Sequence, residues 1–115
     1  MCTSDNDPGD AAMQVTTGYD TATYRKPLGV TAGIVPMNFP AMIPWGWMVP
    51  LSIACGNTVV LKASSQTPLT AMRIMELFYT EGGFPKGVVN LVTCSRVEAD
   101  ILLTDERVKA VTFVG

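Results

Sequence analysis

Residues 35–62 read VPMNFPAMIPWGWMVPLSIACGNTVVLK. The stretch opens with Asn38 held between Pro36 and Pro40. Each proline fixes its own φ and biases the preceding residue toward extended geometry, so such a turn can hold one side chain in a set direction. Residues 41–55 are apolar on nearly all sides, which predicts a helix buried on most of its surface. Pro44 fits in its first turn, Pro50 is expected to kink it, and Gly56-Asn57 supplies a stop. Trp45, Trp47 and the methionines read as core, and a buried indole N–H needs a partner. TVVL (58–61) then predicts a short buried strand with Lys62 at its carboxyl end. No acid or base occurs anywhere from Pro27 to Leu61.

Working outward, GVTAGIV (29–35) is small and β-branched, as suits a parallel strand covered on both faces. Residues 13–24 look extended. Residues 1–12 are polar, acidic and turn-rich, and are expected to be disordered or a leader, leaving 13–115 as one partial domain. Downstream, Thr67 and Pro68 supply a cap and a first position for a second helix. Its wet stripe is Thr70, Arg73, Glu76 and Thr80, with Arg73 and Glu76 a solvated pair. Leu69, Met72, Met75 and Phe78 belong to the opposite face. Gly82-Gly83 ends it. A strand over 88–92, a short helix over 97–103 and a strand over 110–114 follow. The alternation predicts an α/β fold, a partial Rossmann-like parallel sheet with flanking helices and right-handed crossovers. Ligands of such sheets sit beyond the carboxyl ends of the strands, where Asn38 and Lys62 both fall.

Composition narrows the classes. At 115 residues one domain is expected. Charged residues make up 16%, below the usual ~25%, so either the chain packs unusually compactly or one face is meant to be covered. The eight bases are scattered, which argues against a nucleic-acid partner. There is no histidine, and the three cysteines are odd in number with no CxxC spacing and no signal-like segment before them. A zinc site and a disulfide framework are therefore not expected, and a reducing cytoplasm is the default. Cys55 reads as a small buried hydrophobe and Cys94 as an exposed loop thiol. The prolines at 36, 40, 44 and 50 argue against a membrane span, because lipid cannot replace the backbone donors they remove.

Four phrases resemble the aldehyde dehydrogenase superfamily: RKPLGVTAGIVPMNFP (25–40), ACGNTVVLKASSQTP (54–68), GFPKGVVNLV (83–92) and VKAVTFVG (108–115). FPAMIP (39–44) and the short connection over 93–99 look most like the methylmalonate-semialdehyde branch, which makes acyl-CoA from a semialdehyde using NAD. The resemblance implies that Asn38 is the amide that stabilises the oxyanion formed when a cysteine thiolate attacks the aldehyde. Lys62 matches the lysine that bonds the adenosine ribose hydroxyls, Val35, Pro36 and Met37 match the turn along the cofactor, and Ser65 and Gln66 match positions beside the ribose. Read from residue chemistry alone, Asn38 is equally a turn former between prolines, Lys62 a solvated strand end and Ser65 an ordinary loop serine.

The departures from the family pattern carry expectations of their own. Serine at 65 stands where the family usually has glutamate, removing the repulsion against a 2′-phosphate, so NADP is expected to be tolerated as well as NAD. Met37 stands for Trp or Phe, and Cys94 for Gly. PWGWMVP (44–50) is one residue longer than the family phrase, with the extra residue near Gly46, which predicts a local helix bulge. The family's nucleophilic cysteine and general-base glutamate have no match in this sequence. The expected function is therefore a fragment of an NAD(P)-dependent semialdehyde dehydrogenase, inactive alone. A non-catalytic nucleotide-binding or self-associating module is the alternative. A homo-oligomer is expected from the open sheet edge.

Overall fold

The computed structural model describes residues 11–115. The expected leader over 1–12 lies, up to residue 10, outside the described residues. Ala11 and Ala12 already belong to a strand: β1 (Ala11–Thr16) pairs antiparallel with β2 (Tyr19–Ala22). Every residue of this hairpin is exposed. It bulges around Gln14, which has φ 50° and donates its amide to Asp20 Oδ1 at 2.7 Å.

The main sheet has four parallel strands: β3 (Val30–Ile34), β4 (Thr58–Ala63), β5 (Val89–Thr93) and β6 (Val108–Phe113). Their order is β5-β4-β3-β6. The chain steps outward from β3 to β5, then crosses back to the far side of β3. The strand order thus reverses between β3 and β6, a topological switch point whose crevice lies beyond their carboxyl ends. The α/β class expected from the alternation of elements is the one observed.

Side chains alternate across the sheet. One face carries Val59, Leu61 and Ala63 of β4 into a core that also holds Val35, Val89, Ile43, Trp45, Met48 and Val49. Leu61, Val49, Val59 and Val89 are essentially fully buried, each contributing on the order of 2 kcal/mol through burial. Ala32, Ala99 and Leu102 are buried outside that cluster. Ala32 alternates to the opposite face, which α3 (Ile101–Thr104) approaches through β6. The turn into α3 is a capping box: Ser95 N–H donates to Glu98 Oε2 at 2.8 Å and Glu98 N–H to Ser95 Oγ at 3.3 Å.

The helix expected over 41–55 is two pieces. Met42–Met48 is a π-helix, and α1 is the α-helix Val49–Ala54. The bulge expected near Gly46 is this π-helix. Because it ends at Met48, Pro50 falls in the first turn of α1, where its missing N–H has no intrahelical partner to lose. No kink within a continuous helix is needed. Asn57 is more than a stop signal. Its Oδ1 accepts from Leu28 N–H (2.6 Å) and Gly29 N–H (3.0 Å), while Nδ2 donates to Ser52 O (3.2 Å). Gly56 precedes it at φ 78°, and a Cβ there would lie 2.8 Å from Pro27 Cγ, so only glycine fits both the backbone and the space.

In α2 (Pro68–Thr80), Ala71, Ile74, Met75 and Phe78 face the core, the i, i+3, i+4, i+7 spacing of a helix face. Leu69 and Met72, expected on that face, are exposed. The Arg73–Glu76 ion pair is on the surface as expected, at 2.6 Å. The expectation that the tryptophans and methionines are core holds for Trp45 and Met48, and Met75 packs against that core half-buried. Trp47, Met13, Met37, Met42 and Met72 are exposed. Trp45 packs against Phe78 with ring centroids 5.0 Å apart and planes tilted by 50°, yet its Nε1 is buried with no hydrogen-bond partner among the described residues. Cys55 and Cys94 are both half-buried, so neither extreme expected for them is observed.

A candidate dinucleotide rim at the carboxyl ends of β3 and β4

The site begins with register. Ile34 pairs with Lys62, and directly beyond them Val35 N–H donates to Lys62 O at 3.2 Å. On the other side of β3, Val114 N–H donates to Ile34 O at 3.1 Å. The end of β3 is therefore clamped between its two neighbours, and the 36–40 turn leaves the sheet at the switch point. Thr67 Oγ1 donates to Met37 O at 3.3 Å, tying that turn to the residue before α2. Asn38 and Lys62 consequently belong to the same rim of the sheet.

Val35 is buried in the core with its N–H committed to Lys62. Pro36 is half-buried, and Met37 is 54% exposed. Asn38 is exposed, and its carboxamide makes no hydrogen bond to another described residue. Phe39 has φ 53°, a left-handed conformation that is a genuine outlier for a bulky residue, and its carbonyl accepts from Ile43 N–H at 3.2 Å. Lys62 is the penultimate residue of β4, one position further inside the strand than expected. It is half-buried, on the face opposite Leu61. Ser65 and Gln66 are exposed in the following turn, where Gln66 N–H donates to Ser64 Oγ at 3.2 Å.

Two contributions were not read from the sequence. Thr67, expected as the cap of α2, makes no side-chain cap bond and donates to Met37 O instead. A threonine before proline signals a cap; its partner 30 residues away leaves no local trace. Phe39 gives no signal either, since its left-handed backbone is imposed by its surroundings.

A separate apolar groove of about 480 Å³ runs between α1 and β6, lined by Leu28, Trp47, Leu51 and Val114 among others, with Thr31 and Ser52 at its floor. Thr31 Oγ1 donates to Thr58 O, so the 2.6 Å contact with Ser52 Oγ has the serine as donor. By alternation the groove lies on the face opposite the Lys62 side chain. Among the described residues no three His, Cys, Asp or Glu side chains gather as a metal site, and no helix is long and apolar enough to cross a membrane.

The aldehyde dehydrogenase family pattern matches residues 3–115. The chain belongs to the aldehyde dehydrogenase family. It is 54% identical over 107 residues to a malonate-semialdehyde dehydrogenase of Bacillus cytotoxicus, covering 93% of this chain and 22% of the relative. Among solved structures, one described as a methylmalonate-semialdehyde dehydrogenase from Sinorhizobium meliloti complexed with NAD superposes with a TM-score of 0.84 at 40% identity. That match covers 92% of this chain and 21% of the other. An E. coli NADP-dependent enzyme gives a TM-score of 0.80 at 36% identity, over 90% of this chain and 21% of that one. The aldehyde dehydrogenase segment described here thus spans about a fifth of the length of its relatives.

Proposed function

We propose that this chain is the part of a malonate- or methylmalonate-semialdehyde dehydrogenase that binds the adenosine side of the cofactor and supplies the oxyanion-binding amide. The observation that carries the reading is the clamp Ile34–Lys62–Val35, which brings the Asn38 turn and the Lys62–Gln66 turn to one rim at the carboxyl ends of β3 and β4.

The donor set suits a dinucleotide. Lys62 offers an ammonium at the strand end and Ser65 a hydroxyl in the adjacent turn, complementary to ribose hydroxyls. α2 begins without a side-chain cap, so its first amides remain available to an acceptor. NAD or NADP supplies the hydride acceptor for aldehyde oxidation when bound. In the intact enzyme Asn38 Nδ2 donates to the oxyanion formed as a thiolate adds to the aldehyde, and one such donor is worth ~3 kcal/mol of barrier. With serine at 65 no carboxylate opposes a 2′-phosphate, so NAD and NADP both bind. The NADP-dependent solved relative is consistent with that. The malonate-semialdehyde dehydrogenase relatives support a small semialdehyde as substrate, with CoA as acyl acceptor. No residue of the 115 matches the nucleophile or base, so the chain alone does not turn over.

The open β6 edge, with Val111 42% and Phe113 66% exposed, and the apolar groove beside it favour self-association. A cytoplasmic homo-oligomer is the corresponding setting. Calorimetry with NAD, NADP, AMP and CoA, with Lys62→Ala as control, tests the reading. Binding of NAD, NADP and AMP that Lys62→Ala weakens is expected. Absence of nucleotide binding, or binding indifferent to Lys62, overturns it. Light scattering showing a clean monomer at high concentration overturns the self-association.

A further inference from the structure

We infer that Phe39 is a positioning residue for Asn38: it takes the left-handed step of the 36–40 turn on its own backbone and so leaves the Asn38 carboxamide unengaged at the rim.

The turn is pinned on both sides of Asn38. Before it, Val35 N–H donates to Lys62 O at 3.2 Å, and Met37 O accepts from Thr67 Oγ1 at 3.3 Å. After it, Phe39 O accepts from Ile43 N–H at 3.2 Å and Ala41 O from Trp45 N–H at 3.1 Å, where the π-helix begins. Between these pins one residue takes a left-handed step. Pro36 and Pro40 cannot, because the ring locks φ at about −65°. Met37, Asn38 and Phe39 remain. Asparagine is several-fold enriched in the left-handed region, and its side chain commonly closes such turns on nearby backbone. Phenylalanine suits the step poorly on two counts: it is bulky, and a residue before proline is biased to extended geometry. Yet Phe39 has φ 53°, while Asn38 is not among the residues with positive φ. Packing of the ring does not account for the choice, since Phe39 is 58% exposed.

The asparagines differ accordingly. Asn57 and Asn90 spend their carboxamides on backbone. Asn57 Oδ1 accepts from Leu28 and Gly29 N–H, and Asn90 Nδ2 donates to Gly87 O at 2.9 Å and to Val59 O at 3.3 Å. Asn38 is exposed and its carboxamide bonds to no other described residue. Moved to Asn38, the left-handed step would favour a bond from its own side chain to the turn backbone. Made one residue later, it leaves both amide protons of Asn38 available. Asn38 is carried by the turn and does not build it. The strained position next to it is the local cost of that arrangement.

The inference rests on the oxyanion reading of Asn38 for its catalytic meaning, but its test uses neither cofactor nor turnover. In the isotope-labelled full chain the Asn38 carboxamide resonances are followed, with the β4 backbone amides reporting that the sheet is folded. Phe39→Gly and Phe39→Ala both remove the ring, but only glycine accepts positive φ freely. Phe39→Gly is expected to be the more stable of the two, with an unfolding constant lower by about fivefold, the reverse of their order at an ordinary loop position. It is also expected to keep the Asn38 carboxamide where the unaltered chain has it. Phe39→Val, whose β-branched side chain resists the left-handed region, is expected to pass the step to Asn38 and shift its carboxamide with β4 unchanged. Should Phe39→Val not fold, Phe39→Ala is expected to show the same shift in smaller measure. The inference is overturned if Phe39→Ala is as stable as Phe39→Gly, or if the Asn38 carboxamide stays in place in the folded valine variant or, failing that, in the alanine one. It is overturned equally if Phe39→Gly moves that carboxamide as far as they do. An intact enzyme indifferent to Asn38→Ala would count against the oxyanion reading alone and leave these readouts as they are.

Discussion

Thr67 Oγ1 and the carbonyl of Met37, 30 positions apart in sequence, are joined by a 3.3 Å hydrogen bond that closes the rim between β3 and α2. With its side chain turned toward Met37, Thr67 leaves α2 without a side-chain cap. Thr67→Val keeps the shape and removes the donor. A neutral hydrogen bond of this kind is worth about 1 kcal/mol. Urea unfolding should register a loss of that order, with faster amide exchange through the 36–40 turn. Unchanged exchange there would mean that the bond does not hold the turn.

Asn57 is the second long-range tie. It accepts from two successive amides, Leu28 and Gly29, at the entrance to β3. Asn57→Ala leaves both part-buried donors unpaired and is expected to cost about 2 kcal/mol or more, seen as a lower urea midpoint with an unchanged slope. Ser52→Ala removes only the hydroxyl that donates to Thr31 Oγ1 and should cost less. Equal losses in the two variants would show that the Asn57 tie has no special weight.

How far the sequence carried these ties differs by residue. The Asn57 position was legible as a turn because Gly-Asn punctuates chains locally, yet its bonds to Leu28 and Gly29 were not, since they depend on where β3 begins. The strand positions of Val59 and Leu61 were legible because a β-branched run between turn signals leaves few alternatives. Lys62 at the strand end and Asn38 in the proline turn followed from the same punctuation. The burial of α2 was half legible: Met75 and Phe78 face inward, but Leu69 and Met72 do not. Apolarity alone does not say which side of a helix is buried, and the face that meets the sheet is set by Ala71, Ile74, Met75 and Phe78. The local bulge expected near Gly46 corresponds to the π-helix, whereas nothing in the sequence signals that the Trp45 indole N–H is left without a partner.

Cofactor choice should respond to one side chain. Ser65 is exposed in the turn after Lys62, so Ser65→Glu places a carboxylate there without disturbing the core. Like-charge apposition to a 2′-phosphate costs enough to weaken NADP by at least about tenfold, while NAD binding stays equal or tightens. Parallel titrations of both cofactors check this. If the substitution weakens NAD and NADP alike, the 65 position does not face the ribose.

Two surface carboxylates should contribute modestly to acid stability. Arg107 side-chain bonds, then its backbone N–H, hold the Asp105 carboxyl well below the usual carboxylate range. Ser95 backbone and side-chain bonds lower Glu98. Both are depressed in the folded chain, so their contribution is fully present above the unfolded values of about 3.9 and 4.3. It is lost as pH falls through the lower folded values. With no histidine in the chain, the urea midpoint should be flat from pH 7 to 5 and fall below about pH 4. Asp105→Asn and Glu98→Gln should each lower the midpoint at pH 7 and flatten the fall in acid. A midpoint already declining between pH 7 and 5, or a full acid slope retained in both variants, would place the sensitive groups elsewhere.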